Sequence, residues 1–301
     1  MDGRIIGFEG RGARIQYRVL MLLYALVFNR WLYGIFCRWL ARFFDAGNKV
    51  VLDVGGGRGF RVYLNDGYWT RFILYHRDYE PEVRRVLDAA QGHAGLFCDL
   101  GANSGLWSVY GSALFDRVIA VEASIATFAR LVENAEPLDN IEARHAAIFE
   151  KAGKVLRFVN VHNSHASAHL DLEIPIGAQD STEDVITTRV DDIVPAGVAA
   201  IMKLDVEGAE ITAITGAQRA LADGGVLVYE DHGSDLKSEV SRHLMSLPDM
   251  RVYSIENEAN LVRDADHLSQ IKTDSYKGYN FLAGRADAPL LAAIVQGLAK
   301  R

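Results

Sequence analysis

Two stretches of this chain carry the order of strand, acid and glycines that a nucleotide-type cofactor loop needs. They are VVLDVGGGRGF, with Asp53 ahead of Gly55, Gly56, Gly57 and Gly59, and LFCDLGANSGLW, with Asp99 ahead of Gly101 and Gly105. In either, glycine lets the backbone approach a bound molecule closely, and the acid accepts hydrogen bonds from it. A second acid should follow at the end of the next strand, roughly 20 residues further on, to take the ribose hydroxyls. After the first loop, Asn65-Asp66-Gly67 falls where the middle of the required helix would be, and a turn sequence there breaks it. After the second, residues 106–115 can form a helix and 117–121 a strand that ends at Glu122. The complete strand-helix-strand unit is present only there, which assigns the cofactor to the second loop and makes the first a hairpin. Asp99, Gly101, Asn103, Gly105, Glu122 and the adjacent Ala123 are the candidate contacts. Ala102 and Asn103 interrupt the GxGxxG fingerprint, which disfavours a nicotinamide-dependent oxidoreductase on the same fold.

The elements that must hold these residues follow from the alternation. Strands are expected at 96–100, 118–122, 141–148, 200–205 and 226–231, with helices between several of them. That rhythm implies an α/β fold, a doubly wound, mostly parallel sheet covered by helices. Residues 251–256 and 279–283 read as two closing strands, 82–90 as a helix leading in, and 289–300 as a terminal helix. Residues 49–74 alternate and turn, and read as short antiparallel strands. Ahead of them, 13–44 is helical in pattern, apolar and aromatic. Its only charges are Arg14, Arg18, Arg30, Arg38 and Arg42, and no acid stands between Glu9 and Asp45. A segment of this kind, with Tyr24, Trp31, Tyr33 and Trp39, suits either a membrane interface or packing against its own domain or a second subunit. The division expected is an N-terminal segment of helix and hairpins, 1–93, and a main domain, 94–301.

At 301 residues the chain can hold one sizeable α/β domain and an appendage. Its 32 basic and 39 acidic residues give a net charge of −7, so no global field favours a nucleic-acid backbone as partner. Cys37 and Cys98 are too few for a disulfide framework and lack metal-ligand spacing, which fits a reducing cytoplasm. The polar start MDGRIIGFEG is followed by no convincing cleavage site. The apolar run 19–28 is well short of the ~20 residues needed to span a bilayer. The expected location is cytoplasmic, with membrane association left open.

The run Phe97-Cys98-Asp99-Leu100-Gly101-Ala102-Asn103-Ser104-Gly105, then Val118-Ile119-Ala120-Val121-Glu122, then Lys203-Leu204-Asp205-Val206-Glu207-Gly208-Ala209-Glu210 resembles the FkbM-type methyltransferase family in order and spacing. The resemblance covers roughly 79–284. KLDVEGAE is its most specific piece, and Tyr79-Glu80-Pro81-Glu82 is similar to the family's entry motif. It implies the class I, Rossmann-like methyltransferase fold and S-adenosylmethionine (SAM) as cofactor. It also implies O-methylation of a sugar, glycolipid or polyketide hydroxyl. Two departures stand out: Ala123-Ser124 follows Glu122 where proline is usual, and Ala147-Ile148-Phe149-Glu150 is more apolar than usual where adenine contacts are made.

Methyl transfer from a sulfonium to a hydroxyl is an in-line displacement, so the protein must position two atoms and take a proton. In open α/β sheets the site lies beyond the carboxyl ends of the strands. That places Asp205, Glu207 and Glu210 after one strand, and Glu230, Asp231 and His232 after the next, in a negative field suited to a cationic cofactor. Asp205 and Glu207 are expected among the cofactor contacts, and Lys203, Asp205 and His232 are the catalytic candidates. His232 suits a general base. Alternatively Asp205, Asp231 and His232 could hold a divalent cation, a reading the sequence permits but does not favour. Glu207 and Glu210 could instead cap the helix that begins near Gly208. Lys203, in an apolar strand, needs a carboxylate partner or orients the substrate. The polar run Asn160, His162, Asn163, Ser164, His165, Ser167 and His169 reads as a loop or edge over the pocket, and Cys98 as core. A peripheral membrane protein without chemistry would explain the arginine- and tryptophan-rich segment but not the acids.

Overall fold

A computed structural model of the protein describes residues 4–26, 43–70, 79–160, 169–170, 181–206 and 208–299. They fall into two compact units, one ending at Pro81 and one beginning at Glu82.

In the first unit, strand β1 (Arg4–Glu9) pairs with β2 (Lys49–Gly55), which turns back into β3 (Arg58–Tyr63). The turn uses Gly55, Gly56 and Gly57, all at positive φ, so the first glycine cluster is a hairpin, as its breakers imply. Every second residue of β2 is buried, with Val50, Leu52 and Val54 meeting Phe60 and Val62 of β3. Trp69 closes that face, its ring 5.3 Å from Phe60. β1 is not among the expected strands: its alternation is broken by a register shift between Ile5 and Gly7, which hides the strand pattern. Helix α1 (Ala13–Leu26) starts against buried Asn48, whose Oδ1 accepts from Gly12 N–H (3.3 Å) and whose Nδ2 donates to Gln16 Oε1 (2.6 Å). The rest of the helical reading, with Arg30, Trp31, Tyr33, Cys37, Arg38, Trp39 and Arg42, lies outside the described residues, as do His162, Asn163, Ser164, His165 and Ser167 of the polar run.

Helix α2 (Pro81–Ala90), in the second unit from Glu82 onward, buries Val83, Val86, Leu87 and Ala90 at helical spacing. There follow β4 (Leu96–Leu100), α3 (Leu106–Gly111), β5 (Arg117–Glu122), α4 (Ile125–Ala135), β6 (Ile141–His145), β7 (Ala147–Ile148), β8 (Val155–Asn160), β9 (His169–Leu170) and β10 (Ser181–Thr188). Then come α5 (Val190–Ile193), β11 (Ile201–Leu204), α6 (Glu210–Thr215), α7 (Gln218–Ala222), β12 (Val226–His232) and α8 (Glu239–Ser246). β13 (Met250–Ser254), β14 (Asn260–Leu261), α9 (Ala265–Ile271), β15 (Gly278–Arg285) and α10 (Pro289–Ala299) complete it.

The main sheet has eight strands in the order β14-β13-β15-β12-β11-β4-β5-β6. β6, β5, β4, β11 and β12 run parallel, and β15 enters antiparallel between β12 and β13. This is the mostly parallel α/β sheet expected from the alternation. β4 and β11 are buried at every position, as strands covered on both faces must be. From β4 the chain moves outward through β5 to β6, and from β11 outward through β12 in the other direction. The order therefore reverses between β4 and β11, where such sheets open a crevice at their carboxyl ends.

Two expectations are corrected. The strand expected at 141–148 is two strands. Ile141–His145 is polar and forms an edge of the main sheet, whereas Ala147–Ile148 is apolar and pairs with β10 in a separate sheet of order β7-β10-β8-β9. The helix expected over 106–115 ends at Gly111 and continues as turns to Phe115. Cys98 lies in the core, and burial pushes its thiol up to about 12, which leaves it unreactive.

Candidate functional site

At the reversal point three strand ends are laced together by backbone. Gly101 N–H and Ala102 N–H, just beyond β4, both donate to the carbonyl of Val121 on β5 at 2.9 Å. Asp205 N–H, just beyond β11, donates to the Leu100 carbonyl at 2.9 Å. Gly101 has φ +85°, and a Cβ added there would stand 1.8 Å from the Asp205 carbonyl oxygen. Only glycine permits this approach.

The loop that follows is held by one carboxylate. Glu122, at the end of β5, accepts from Asn103 N–H through Oε2 (2.9 Å) and from Ser124 N–H through Oε1 (2.9 Å). Asn103 adopts positive φ, and its Oδ1 accepts from Ser104 N–H (2.7 Å). Asn134 of α4 donates to the Ser104 carbonyl (2.9 Å), and Gly105 at φ +87° leads into α3. Burial pushes the Glu122 carboxyl up to about 7, against the two backbone hydrogen bonds, with the charges of Asp205 and Asp99 adding to the rise. Each of its oxygens keeps a further lone pair for a donor. Ala123, next along, turns its carbonyl to His145 Nε2 (2.8 Å) and its methyl to a small apolar cluster that includes Phe149, Phe158 and Val185. Of the apolar departure, Ala147 and Phe149 belong to that cluster and Ile148 to the main core.

Asp99 sits deeper than the sequence suggested. It is 1% exposed, its Oδ2 accepts from Ser108 Oγ at 2.6 Å, and burial raises its carboxyl while Lys203 and Ser108 oppose the rise. Its carboxylate holds the first turn of α3. Ser108 and Asn134, absent from the sequence-derived candidates, thus support the loop from two helices. Their signal was there only as polar residues among apolar neighbours.

On the other side of the crevice, Lys203 on β11 is 4% exposed and finds the expected carboxylate partner, Asp205 Oδ2, at 2.7 Å. The carboxylates of Asp205 and of Glu230, on β12, come within 4.8 Å of each other. Glu210 accepts from Gly208 N–H (3.1 Å) as a helix-start residue does, and burial raises its carboxyl. Glu207 lies outside the described residues. His232 is exposed, and its Nδ1 accepts from Ser234 N–H (3.1 Å) with Ser234 Oγ at 2.7 Å. That bond places the proton of the neutral ring on Nε2, so the ring offers a donor outward.

The cation reading built on Asp205, Asp231 and His232 is corrected. Successive residues of a strand face opposite sides. Asp231 points into the core, bonded to Ser241 and paired with Lys272, with side-chain exposures of 0% and 3% for the ion pair. Lys272 also donates to the Asp235 carbonyl at 2.7 Å. The three residues are therefore not assembled as ligands.

Comparison with known proteins adds a family. The model of the methyltransferase FkbM domain matches residues 99–260, from the acid of the second loop to β14. No curated protein matches the chain. Among solved structures, the methyltransferase FkbM of Methylobacillus flagellatus KT is similar at 17% identity and a TM-score of 0.40, covering 73% of this chain and 54% of that one. The chain thus spans about half the length of that protein. The precorrin-6y C5,15-methyltransferase of Geobacter metallireducens GS-15 matches at 14% identity and a TM-score of 0.40, covering 69% of this chain and 87% of the other. The O-methyltransferase of Bacillus cereus, solved in complex with SAH, matches at 12% identity and a TM-score of 0.40, covering 70% and 83%.

Proposed function

Since the chain belongs to the FkbM methyltransferase family, we propose that it takes its methyl group from SAM and delivers it to a hydroxyl of a sugar, glycolipid or related natural product. The observation that carries the cofactor assignment is the Glu122 clasp. A buried acid ends the second strand, binds the glycine loop at Asn103, and keeps lone pairs for two ribose hydroxyls. The donor set fits such a ligand, because each Glu122 oxygen takes one backbone N–H and keeps an acceptor position for a hydroxyl.

The cofactor supplies an electrophilic methyl on a sulfonium. The chain's own residues do the rest. Asp205 and Glu230 set a negative field at the crevice mouth. Lys203 fixes the Asp205 carboxylate, which accepts the proton of the acceptor hydroxyl. His232 orients the acceptor by donating from Nε2. The small-molecule hydroxyl acceptor is drawn from the family resemblance and from the acidic balance of the chain, which disfavours nucleic acid.

Calorimetric titration with SAM, S-adenosylhomocysteine and NAD tests the cofactor assignment. SAM and its product should bind, and Glu122→Ala should weaken both by about ten- to a hundredfold or more, the worth of at least one hydrogen bond to a charged group. Binding of NAD alone would sink the reading.

Glu122 also makes the affinity depend on pH. Ribose hydroxyls donate to the ionised carboxylate, so binding favours loss of its proton. Because that proton is held up to about pH 7 in the free protein, SAM affinity should rise with pH through this range and level off above it. Titrations in buffers of different ionisation enthalpy should register proton release below pH 7 and none well above. A flat profile that Glu122→Gln leaves unchanged would place the ribose elsewhere.

A further inference from the structure

Helix α1 carries an arrangement that the methyl-transfer site does not use and that owes nothing to the SAM assignment. Its inner side is fixed: Ala13 and Leu20 are buried, and Tyr17 stands 5.5 Å from the Phe8 ring of β1. Its outer side is exposed at Arg14, Ile15, Arg18, Val19 and Leu22. Ile15, Val19 and Leu22 follow helical spacing and form one row, at 68%, 40% and 64% exposure. Arg14 and Arg18 flank it on the helix, with exposed Arg11 in the turn just ahead, and the Arg14 guanidinium lies 5.4 Å over the Phe8 ring. A single exposed apolar residue needs no explanation, but a row of three bordered by cations does.

Charge selects the occupant. The chain as a whole is net −7, yet no acid lies between Glu9 and Asp45, while arginine recurs there six times. A second copy of the chain docked by two-fold symmetry would set this same basic face against itself. An anionic surface is its complement. Among the described residues no helix is long and apolar enough to cross a bilayer, so the face suits a helix lying in the plane of the headgroups, with apolar side chains down and arginines at the phosphates.

We propose that α1 is a peripheral anchor that seats the protein on anionic phospholipid bilayers through Ile15, Val19 and Leu22, with Arg11, Arg14 and Arg18 engaging the headgroups. Cosedimentation of the full chain with vesicles tests this, using phosphatidylcholine alone and phosphatidylcholine mixed with phosphatidylglycerol. Binding is expected only to the mixed vesicles and should weaken with salt. Arg14→Gln with Arg18→Gln should reduce it by about thirtyfold, and Ile15→Ser with Leu22→Ser by about tenfold or more. Thermal melts should match the parent for Ile15→Ser with Leu22→Ser and fall only slightly for Arg14→Gln with Arg18→Gln, which gives up the Arg14–Phe8 contact. Equal recovery with neutral vesicles, no recovery with either, or unchanged binding by the folded variants would overturn the proposal. So would conversion of an oligomer to a monomer by Ile15→Ser with Leu22→Ser while vesicle binding persists, which would make this face an interface between copies.

Discussion

Gly101→Ala is expected to abolish SAM binding and to remove about 3–5 kcal/mol of stability. Two costs coincide. At φ +85° an alanine incurs the left-handed penalty of about 1–2 kcal/mol. Its Cβ would also stand 1.8 Å from the Asp205 carbonyl oxygen and 2.7 Å from the carbonyl carbon, both backbone atoms that no rotamer change can withdraw. Relief requires β4 and β11 to part at the reversal point, with loss of the Asp205 to Leu100 hydrogen bond. The control is Gly153→Ala, in the same unit, at φ +76° with nothing within 4 Å of the added carbon. It should show the conformational penalty alone. Urea titrations of the two variants check the difference; equal midpoints with intact SAM binding would mean that the strand ends do not approach so closely.

Lys272→Met is expected to cost about 3–5 kcal/mol, because it strands the Asp231 carboxylate at 0% side-chain exposure with only Ser241 to bond it. The pair itself need not be strongly stabilising, since burying both charges offsets most of their attraction. Adding Asp231→Asn to Lys272→Met should therefore recover part of the loss, a coupling that a double-mutant cycle measures. If Asp231 instead served the reaction, Asp231→Asn would destroy turnover while the melting temperature held.

The centre of the fold is legible in the sequence, and its margins are much less so. β4, β5, β11 and β12 are largely apolar runs with acids at or beside their carboxyl ends, and local pattern alone places them. β1 is masked by its register shift, and β8 and β10, which flank the polar run 160–169 read as a loop or edge, are not among the expected strands. For the site, the decisive pairing of a glycine loop with Glu122 is visible because both lie within one strand-helix-strand unit. The direction of each acid is less visible. Asp231 and His232 are neighbours in sequence, yet the two-residue period of β12 sends one inward beside Leu227 and Tyr229, in the core, and the other outward. That parity is available in the pattern. The partner is not, because Lys272 lies 41 residues away on a separate helix end. Asp99 shows the same limit, its depth being set by Ser108 across a loop.

The ends of the large sheet have a consequence for how the chain behaves in a crowd. Any open sheet exposes two rows of unused main-chain donors and acceptors, and these recruit other chains into aggregates. Here one border strand, β6, bears Glu142 clasped by Arg117 and Arg144, so an incoming strand would have to displace a charged cluster. The opposite border, β14, is two residues long, too short to start a ladder. The sheet is thus terminated on both sides by strands that make poor templates, and the long apolar strands inside it stay out of reach of neighbouring molecules.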